Sequence, residues 1–358
     1  MGEAEPPAGA RGGPAPKANT LARDVPGSDT PGSDTPDRDT PGSDATPNAL
    51  SPARYLGWLY STDAQKPVLA ALLEIEAEIA SGLRPGMEHH VAHARLQWWS
   101  EEAERVAQGR PVHPMAKELV KAHVSGASQA GEASARSIAA AAAALATASA
   151  EPPTTTNPSG ITPRADIAGF VDTAVWDLAR ATFETRQELT AYCERWATAM
   201  FETSAVARGS TAPGEVPPAA SAWKTLGAVV REIELLADAA RDANAGRVRM
   251  PLDELDRVGV DPNALVKLPW PAPLAAHLKE RHQALRATIA ANVATLGREE
   301  QMGLRGLLVW VTLTWRLSVR AEHALPNVIL PRRYDSLAAG WQAWRAARRA
   351  ATGKLRLD

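Results

Sequence analysis

The chain has 358 residues, with 39 Lys and Arg against 41 Asp and Glu, so its formal net charge is -2. This balance provides no basic footprint for nucleic acid, which we therefore exclude as an expected partner. A single cysteine, Cys193, excludes an intrachain disulfide, and the start of the chain has no charged-then-apolar signal pattern, so we expect a cytoplasmic protein.

The first predicted segment, residues 1–50, is a disordered tail. It is rich in Pro, Gly, Ser, Thr and Asp, and it carries the imperfect repeat PGSDT PGSDT PDRDT PGSDA from Pro26 to Ala45. Such a composition offers almost no apolar surface to bury, so it cannot offset the entropy of ordering.

Residues 51–350 are predicted to fold as one helical domain. Apolar residues recur at three- and four-residue steps, for example at Leu69, Leu72, Leu73 and Ile79, and strand signals are nearly absent. The run GLLVWVTLTW, from Gly306 to Trp315, is shorter than the about 20 apolar residues that span a bilayer, which favours a buried core helix. The sequence therefore predicts an all-α fold, a single large helical bundle.

Three segments interrupt or end the helical pattern. An Ala/Pro-rich stretch at 125–162 is predicted to be a linker, and a second break runs from Gly209 to Ser221. Residues 351–358 form a basic tail. Together with the arginines before it, this tail supports two interpretations, a solvated helix end or a peripheral contact with anionic lipid.

The helical segment that ends in LLADAARDANAGRVRMP carries three carboxylates four residues apart, Glu234, Asp238 and Asp242. Residues at this spacing lie on one helix face, and such an oxygen-rich ladder suits Mg²⁺. The alternative is an ordinary polar face in which Arg231 and Arg241 pair with the carboxylates. Spacing alone leaves both interpretations open.

Two other candidates carry weaker signals. His89 and His93 have the spacing of a two-histidine metal face, but the sequence identifies no third ligand. Cys193 is a nucleophile only if a histidine base approaches it, and a buried helix cysteine is the more usual outcome.

Several segments resemble, in chain order, those of the squalene and phytoene synthase family. Leu226 to Leu255 resembles the second aspartate-rich signature of that family, with its Asp pair at Asp238 and Asp242 and its Gly-Arg at Gly246 and Arg247. The segment RLQWW from Arg95 and the segment ELTAYC, which contains Tyr192 and Cys193, also match. The resemblance extends from Ala53 to about Ala350.

The resemblance implies an isoprenoid-synthase type bundle and a Mg²⁺-dependent, head-to-head condensation of prenyl diphosphates. It implies that Asp238 and Asp242 hold the metal, and the helical spacing adds Glu234 as the third predicted metal ligand. It further implies that Arg247 meets the diphosphate of the substrate and that Tyr192 lines the prenyl cavity.

The chain departs from the family pattern on the facing side of the site. The first aspartate-rich motif is absent: the helix KPVLAALLEIEAEIASG offers only Glu74, Glu76 and Glu78, of which Glu74 and Glu78 share a face. Small glycines of the family are replaced by Thr198 and Phe201, which we expect to narrow the prenyl tunnel.

A second branch of the same superfamily, which includes an assembly factor of mitochondrial complex I, is also similar at Glu78-Ile79-Ala80. This similarity leaves an alternative open, in which the protein is a non-catalytic homologue that acts as a binding or assembly factor with a protein partner. Whether the chain is an enzyme is thus not decided by the sequence.

Overall fold

The computed structural model describes residues 51–83, 87–125, 165–207, 218–327 and 337–357. Over these residues it is helical and contains no strand, so the predicted all-α fold is confirmed. The predicted tail, residues 1–50, and residues 126–162 of the predicted linker lie outside the described residues. The helices are α1 (Pro52–Leu59), α2 (Lys66–Ser81), α3 (His89–Ala107), α4 (114–125), α5 (Ala168–Ala179), α6 (Arg186–Ala197), α7 (Thr203–Val206), α8 (Pro218–Asn244), α9 (Leu252–Arg257), α10 (Ala272–Thr295), α11 (Arg298–Gly303), α12 (Arg305–Ala324) and α13 (Leu337–Ala351).

Local sequence signals explain where the helices begin and end. Pro67 has no N–H and suits the first turn of a helix, so the helical pattern from residue 52 to 82 forms two helices, α1 and α2, rather than one. Thr185 caps α6 by accepting a hydrogen bond from the Glu188 N–H. Between α6 and α7 the chain makes a π-helical turn, Thr198–Glu202.

The helix α4 was not predicted, and Ser125, the first residue of the predicted linker, still belongs to it.

Helix α8 lies in the middle of the bundle and packs against α6, α10 and α12. In α12 the side chains from Leu307 to Leu313 are buried, which confirms the predicted core helix. No helix among the described residues is both long and apolar enough to cross a bilayer. Helices α2, α8 and α12 each contribute a side chain, Glu76, Glu234 and Trp310, to the interior around Arg54 of α1.

Helices α1 and α12 approach each other closely at two glycines. A Cβ atom on Gly57 would lie 3.1 Å from both the Gly306 carbonyl oxygen and Trp310 Cβ. One on Gly306 would overlap Ser61 Oγ and the Gly57 carbonyl. Because side chains one turn apart share a helix face, this contact places Arg54 of α1 against Trp310 of α12.

A buried histidine connects α10 to α12. His282 is 3% exposed, and its Nδ1 lies 3.0 Å from Ser318 Oγ. Burial, reinforced by the positive charge of Arg286, lowers the pKa of His282 to about 4. The imidazole is therefore neutral in the folded protein at neutral pH.

This pKa predicts a loss of stability in mild acid. The unfolded chain binds a proton at His282 near pH 6.5, whereas the folded protein does not until about pH 4. The contribution is therefore fully present above pH 6.5 and is lost as the pH falls, by about 3 kcal/mol in total. Between pH 7 and pH 4, urea unfolding should show a free energy of unfolding that falls by about this much more in the wild type than in His282→Gln.

The control is His323→Gln, which changes an exposed histidine of α12 and should follow the wild-type curve. Parallel pH curves for the wild type and His282→Gln would contradict the assignment.

Candidate functional site

The centre of the candidate site is the guanidinium of Arg54, which bridges two helices. Its Nη1 lies 2.5 Å from Glu76 Oε2 of α2, and its Nη2 lies 2.9 Å from Glu234 Oε2 of α8. The two carboxylates are therefore joined by a cation that belongs to the chain itself.

Aromatic rings surround this cation. The Arg54 guanidinium carbon lies 5.4 Å from the ring centroid of Trp196 and 5.0 Å from that of Trp310, a favourable cation–π distance. Trp196 Nε1 donates to Glu76 Oε1 at 2.8 Å, and Trp310 Nε1 donates to Glu234 Oε1 at 3.2 Å. Phe201 packs against both tryptophans, with centroids 6.0 and 5.1 Å away. All three rings are fully buried, so the bundle is filled at this level.

Arg54 and Glu234 stabilise each other's charged form. Burial works against the carboxylate of Glu234, but Arg54 and Arg231 overcome it and lower its pKa. Burial likewise works against the Arg54 cation, but Glu234 and Glu76 raise the pKa of Arg54 above its ordinary value. Such half-buried charges depend on one another, because removal of one leaves its partners without a counter-ion in a partly dehydrated site.

On α2 it is Glu76, and not the pair Glu74 and Glu78, that faces α8. Glu78 turns instead to His113, with Nε2 to Oε2 at 3.0 Å. The helical period predicts this orientation, because Leu72, Glu76 and Ile79 are four and three residues apart and lie on the inward face of α2. Arg54 was missed because one arginine in a short helix has no distinguishing sequence pattern.

The three carboxylates predicted as metal ligands are paired with different arginines. Asp238 pairs with Arg241 one turn along α8, in an exposed contact. Asp242 is buried, with Oδ1 3.2 Å from Arg247 Nη2 and Oδ2 3.5 Å from Arg249 Nε. Glu234 belongs to the Arg54 centre described above.

This arrangement does not offer an open set of ligands for Mg²⁺. Within the described residues no three His, Cys, Asp or Glu side chains are grouped so as to hold a metal ion. Glu234 and Asp242 would have to release arginines first. The assignment of Mg²⁺ to Asp238, Asp242 and Glu234 stays a prediction, and we derive no step through the metal.

Tyr192 lies beside Arg231 of α8 and Asp177 of α5. Its hydroxyl is within 3.3 Å of Asp177 Oδ1 and accepts from Arg231 Nη2 at 3.2 Å. Arg249 Nη1 lies 2.5 Å from the same Asp177 oxygen. Burial raises the pKa of Tyr192, so the phenol stays protonated. Its role in lining a prenyl cavity stays a prediction. The pocket beside it is lined by Asp177 and not by Tyr192.

A pocket of about 210 Å³ opens where α3, α5 and the end of α8 meet. Arg247, the predicted diphosphate ligand, lines it together with Arg180. The Arg247 Nε is buried and has no hydrogen-bond acceptor among the described residues. The remaining lining residues are Gly82, Leu83, Met87, His89, Ala92, Asp177, Leu178 and Ala245.

Arg180 reaches this pocket through an unusual backbone conformation. It ends α5 with φ 49°, in the left-handed region. A glycine is the usual residue at this point of a helix end, because a Cβ is disfavoured there. Within the described part of the chain no carboxylate pairs with the Arg180 side chain, so the pocket holds a cation that can accept an anion.

The other two candidates lie in different surroundings. Cys193 is buried, and burial raises the pKa of its thiol far above neutrality, which is unsuited to a nucleophile. His89 and His93 are exposed and contact each other, with their Nε2 atoms 2.9 Å apart. Among the described residues no third metal ligand accompanies them.

The central ion pairs predict a specific stability effect. Arg54→Met leaves Glu76 and part of the Glu234 charge half-buried without a cation, so we expect the free energy of unfolding to fall by about 2 kcal/mol or more. Adding Glu76→Gln and Glu234→Gln to Arg54→Met should recover part of the loss, because the stranded charges are then gone. Both effects are measured by urea unfolding.

The matched control is Arg257→Met, which removes an exposed arginine 3.9 Å from Asp253 and should change stability by about 0.5 kcal/mol or less. Equal, small losses for Arg54→Met and Arg257→Met would show that the central pairs do not constrain the fold.

Comparison with known proteins gives similar structures and a matching family. No curated protein sequence matches this chain. A dehydrosqualene synthase in complex with ligand has a similar structure, with a TM-score of 0.53 and 12% identity over 83% of this chain and 90% of that one. The squalene synthase HpnC from Alicyclobacillus acidocaldarius is also similar, with a TM-score of 0.51 and 12% identity over 75% of this chain and 87% of that one. At this identity the likeness shows a shared all-α fold. The sequence model of squalene/phytoene synthase matches residues 49–348, and the chain therefore belongs to the squalene/phytoene synthase family.

Proposed function

We propose that this protein binds a prenyl diphosphate, with the diphosphate held by arginines in the pocket between α3, α5 and α8. Family membership and fold support a prenyl-transferring, isoprenoid-synthase-like protein, and they make prenyl diphosphates the ligand class. The observation that carries the proposal is Arg180, an arginine without a described ion-pair partner that shares this pocket with Arg247.

The charges of the pocket suit a polyanion. Arg180 and Arg247 line it directly, and Arg249 lies behind Asp177. Guanidinium groups bind phosphate oxygens with two parallel hydrogen bonds and remain charged at any physiological pH. Three arginines, Arg180, Arg247 and Arg249, stand against two carboxylates, Asp177 and Asp242, which pair with Arg249 and Arg247. The group therefore keeps a net positive charge, that of Arg180.

The size of the pocket suits one ligand head. Its volume of about 210 Å³ is below the roughly 300–1,000 Å³ of typical small-molecule pockets. We therefore propose that the diphosphate head occupies this volume and that most of the prenyl chain extends beyond it. The apolar side chains of Leu83, Met87 and Leu178 lie beside the arginines, where the chain of such a ligand would begin.

We expect Arg180→Gly to weaken the binding of farnesyl diphosphate by about tenfold or more, because a charge-assisted contact is lost. Glycine adopts the left-handed conformation of residue 180 readily, so the variant should fold as well as the wild type. Isothermal titration calorimetry measures the affinity, with farnesol as the ligand that lacks the anion. Arg195→Ala, at an exposed site on α6, is the control and should bind normally.

The same titration tests the metal prediction. We propose that binding persists in EDTA, since the anion is held by arginines. Binding that needs Mg²⁺ and is lost in Asp242→Asn would instead support the metal site. Unchanged affinity in Arg180→Gly would overturn the pocket assignment.

A second role, binding without head-to-head condensation, is favoured by the filled centre of the bundle. Condensation requires two prenyl chains side by side in an apolar cavity. Here Trp196, Phe201 and Trp310 contact one another, and Arg54 lies between the carboxylates of α2 and α8. This observation supports the non-catalytic alternative within the family.

An assay of turnover distinguishes head-to-head condensation from binding alone. With farnesyl or geranylgeranyl diphosphate and Mg²⁺, we expect diphosphate release no greater than in a control without protein. Release above the control, together with a product that contains two prenyl chains, would establish condensation and overturn the second role, provided that both disappear in Asp238→Ala or Asp242→Asn. Because calorimetry measures binding separately, a result here leaves the binding proposal intact.

A further inference from the structure

Helix α13 presents two different faces. Its inner face consists of alanines that pack against α12 and α11, and all of them are buried: Ala339, Ala343, Ala346, Ala347 and Ala350. Small side chains allow the helix backbone to lie close to the bundle. The large side chains of α13 are consequently on its outer face.

The outer face is apolar and aromatic. Leu337 is 96% exposed, Trp341 55% and Trp344 43%. These residues follow steps of four and three, so they form one stripe. All eleven tryptophans of the chain lie within the described residues, and the two on this stripe are the most exposed of them.

Arginines accompany the stripe. The Arg345 guanidinium lies 4.5 Å from the centroid of the Trp341 ring, and that of Arg348 lies 5.1 Å from the Trp344 ring. From residue 337 to 357 the chain carries five Lys and Arg and no Asp or Glu. The whole chain has a net charge of -2, so this region is a local concentration of positive charge.

The tail beyond α13 is held against the bundle. Leu355 is buried, and its N–H donates to Gln301 Oε1 at 2.9 Å. Its neighbours Lys354 and Arg356 are exposed. Two further cations are thus fixed close to the end of α13.

We propose that the outer face of α13, defined by Leu337, Trp341, Trp344, Arg345 and Arg348, docks the protein on an anionic lipid surface. Tryptophan is enriched at the level of the lipid headgroups, and an amphipathic helix with basic and aromatic residues lies in the plane of that interface. The cations attract acidic headgroups, and the tryptophan rings enter between them.

Charge favours lipid over a second copy of the chain. In a two-fold dimer the same face meets itself, so the cations of one helix would oppose those of the other. The stripe also offers only three large apolar side chains, which is small for a stable interface of about 1,200 Å² or more. An anionic lipid surface provides the opposite charge and imposes no requirement on shape.

Vesicle flotation tests the proposal with the full-length protein. The vesicles are phosphatidylcholine alone, or phosphatidylcholine with about 30% phosphatidylglycerol. The wild type should bind the anionic vesicles, bind the neutral ones far less, and be released by high salt, because screening weakens surface charge. Replacing both arginines in Arg345→Gln/Arg348→Gln should lower the partition coefficient about tenfold or more.

Replacing both rings in Trp341→Ala/Trp344→Ala should lower it on both kinds of vesicle, since the apolar contribution is lost. Trp98→Ala, at the other exposed tryptophan, is the control and should bind like the wild type. These side chains are exposed, so circular dichroism should show equal melting temperatures.

Failure of the wild type to bind anionic vesicles, or wild-type binding by both double variants, would overturn the proposal. So would a dimer of the wild type, seen by sedimentation, that Trp341→Ala/Trp344→Ala abolishes without any vesicle binding by the wild type. That result would assign the face to self-association instead.

Discussion

The half-buried carboxylates Glu76 and Glu234 lose much of their hydration in the fold, and Arg54 is the cation that both of them share. Much of the surrounding structure serves this contact. The glycine contact between α1 and α12 brings the arginine within reach, and the indoles of Trp196 and Trp310 donate to the carboxylate oxygens that Arg54 leaves free. The centre is therefore satisfied from every side, which explains how three charges and two large aromatic side chains can share one interior.

The family resemblance implies two steps, recognition of a diphosphate and the joining of two prenyl chains. The closed centre affects only the second. The interior between α2 and α8 is occupied by side chains of the protein. The end of α8, by contrast, borders an arginine-lined pocket in which Arg180 has no ion-pair partner among the described residues. Recognition of an anion needs only the second region, whereas joining two prenyl chains needs both. A member of the family can accordingly keep a ligand while losing a reaction.

The fold was largely predictable from the sequence, because the helical period and the order of the family segments agree along the chain. Of the site, Asp242 and Arg247 were found through the resemblance, and their mutual pairing is a local contact within one helix end. Arg54, Glu76 and Arg180 were not predicted. Their roles depend on tertiary contacts: Arg54 and Glu234 are separated by 180 residues, and Arg180 is distinguished by its left-handed backbone and its place in the pocket, neither of which a sequence pattern marks.

Pairing of acidic residues with arginine also changes what the carboxylates of α8 can do. Three carboxylates at helical spacing would attract a divalent cation if they were unpaired. Glu234 and Asp242 instead hold arginines in place, and Asp242 does so at the edge of the pocket. The same acidic ladder that suggests a metal site thus orients the cations that would bind an anion. A carboxylate ladder is informative about metal only when the arginines within its reach are known. Here they come from α1, from α8 itself and from the loop after α8.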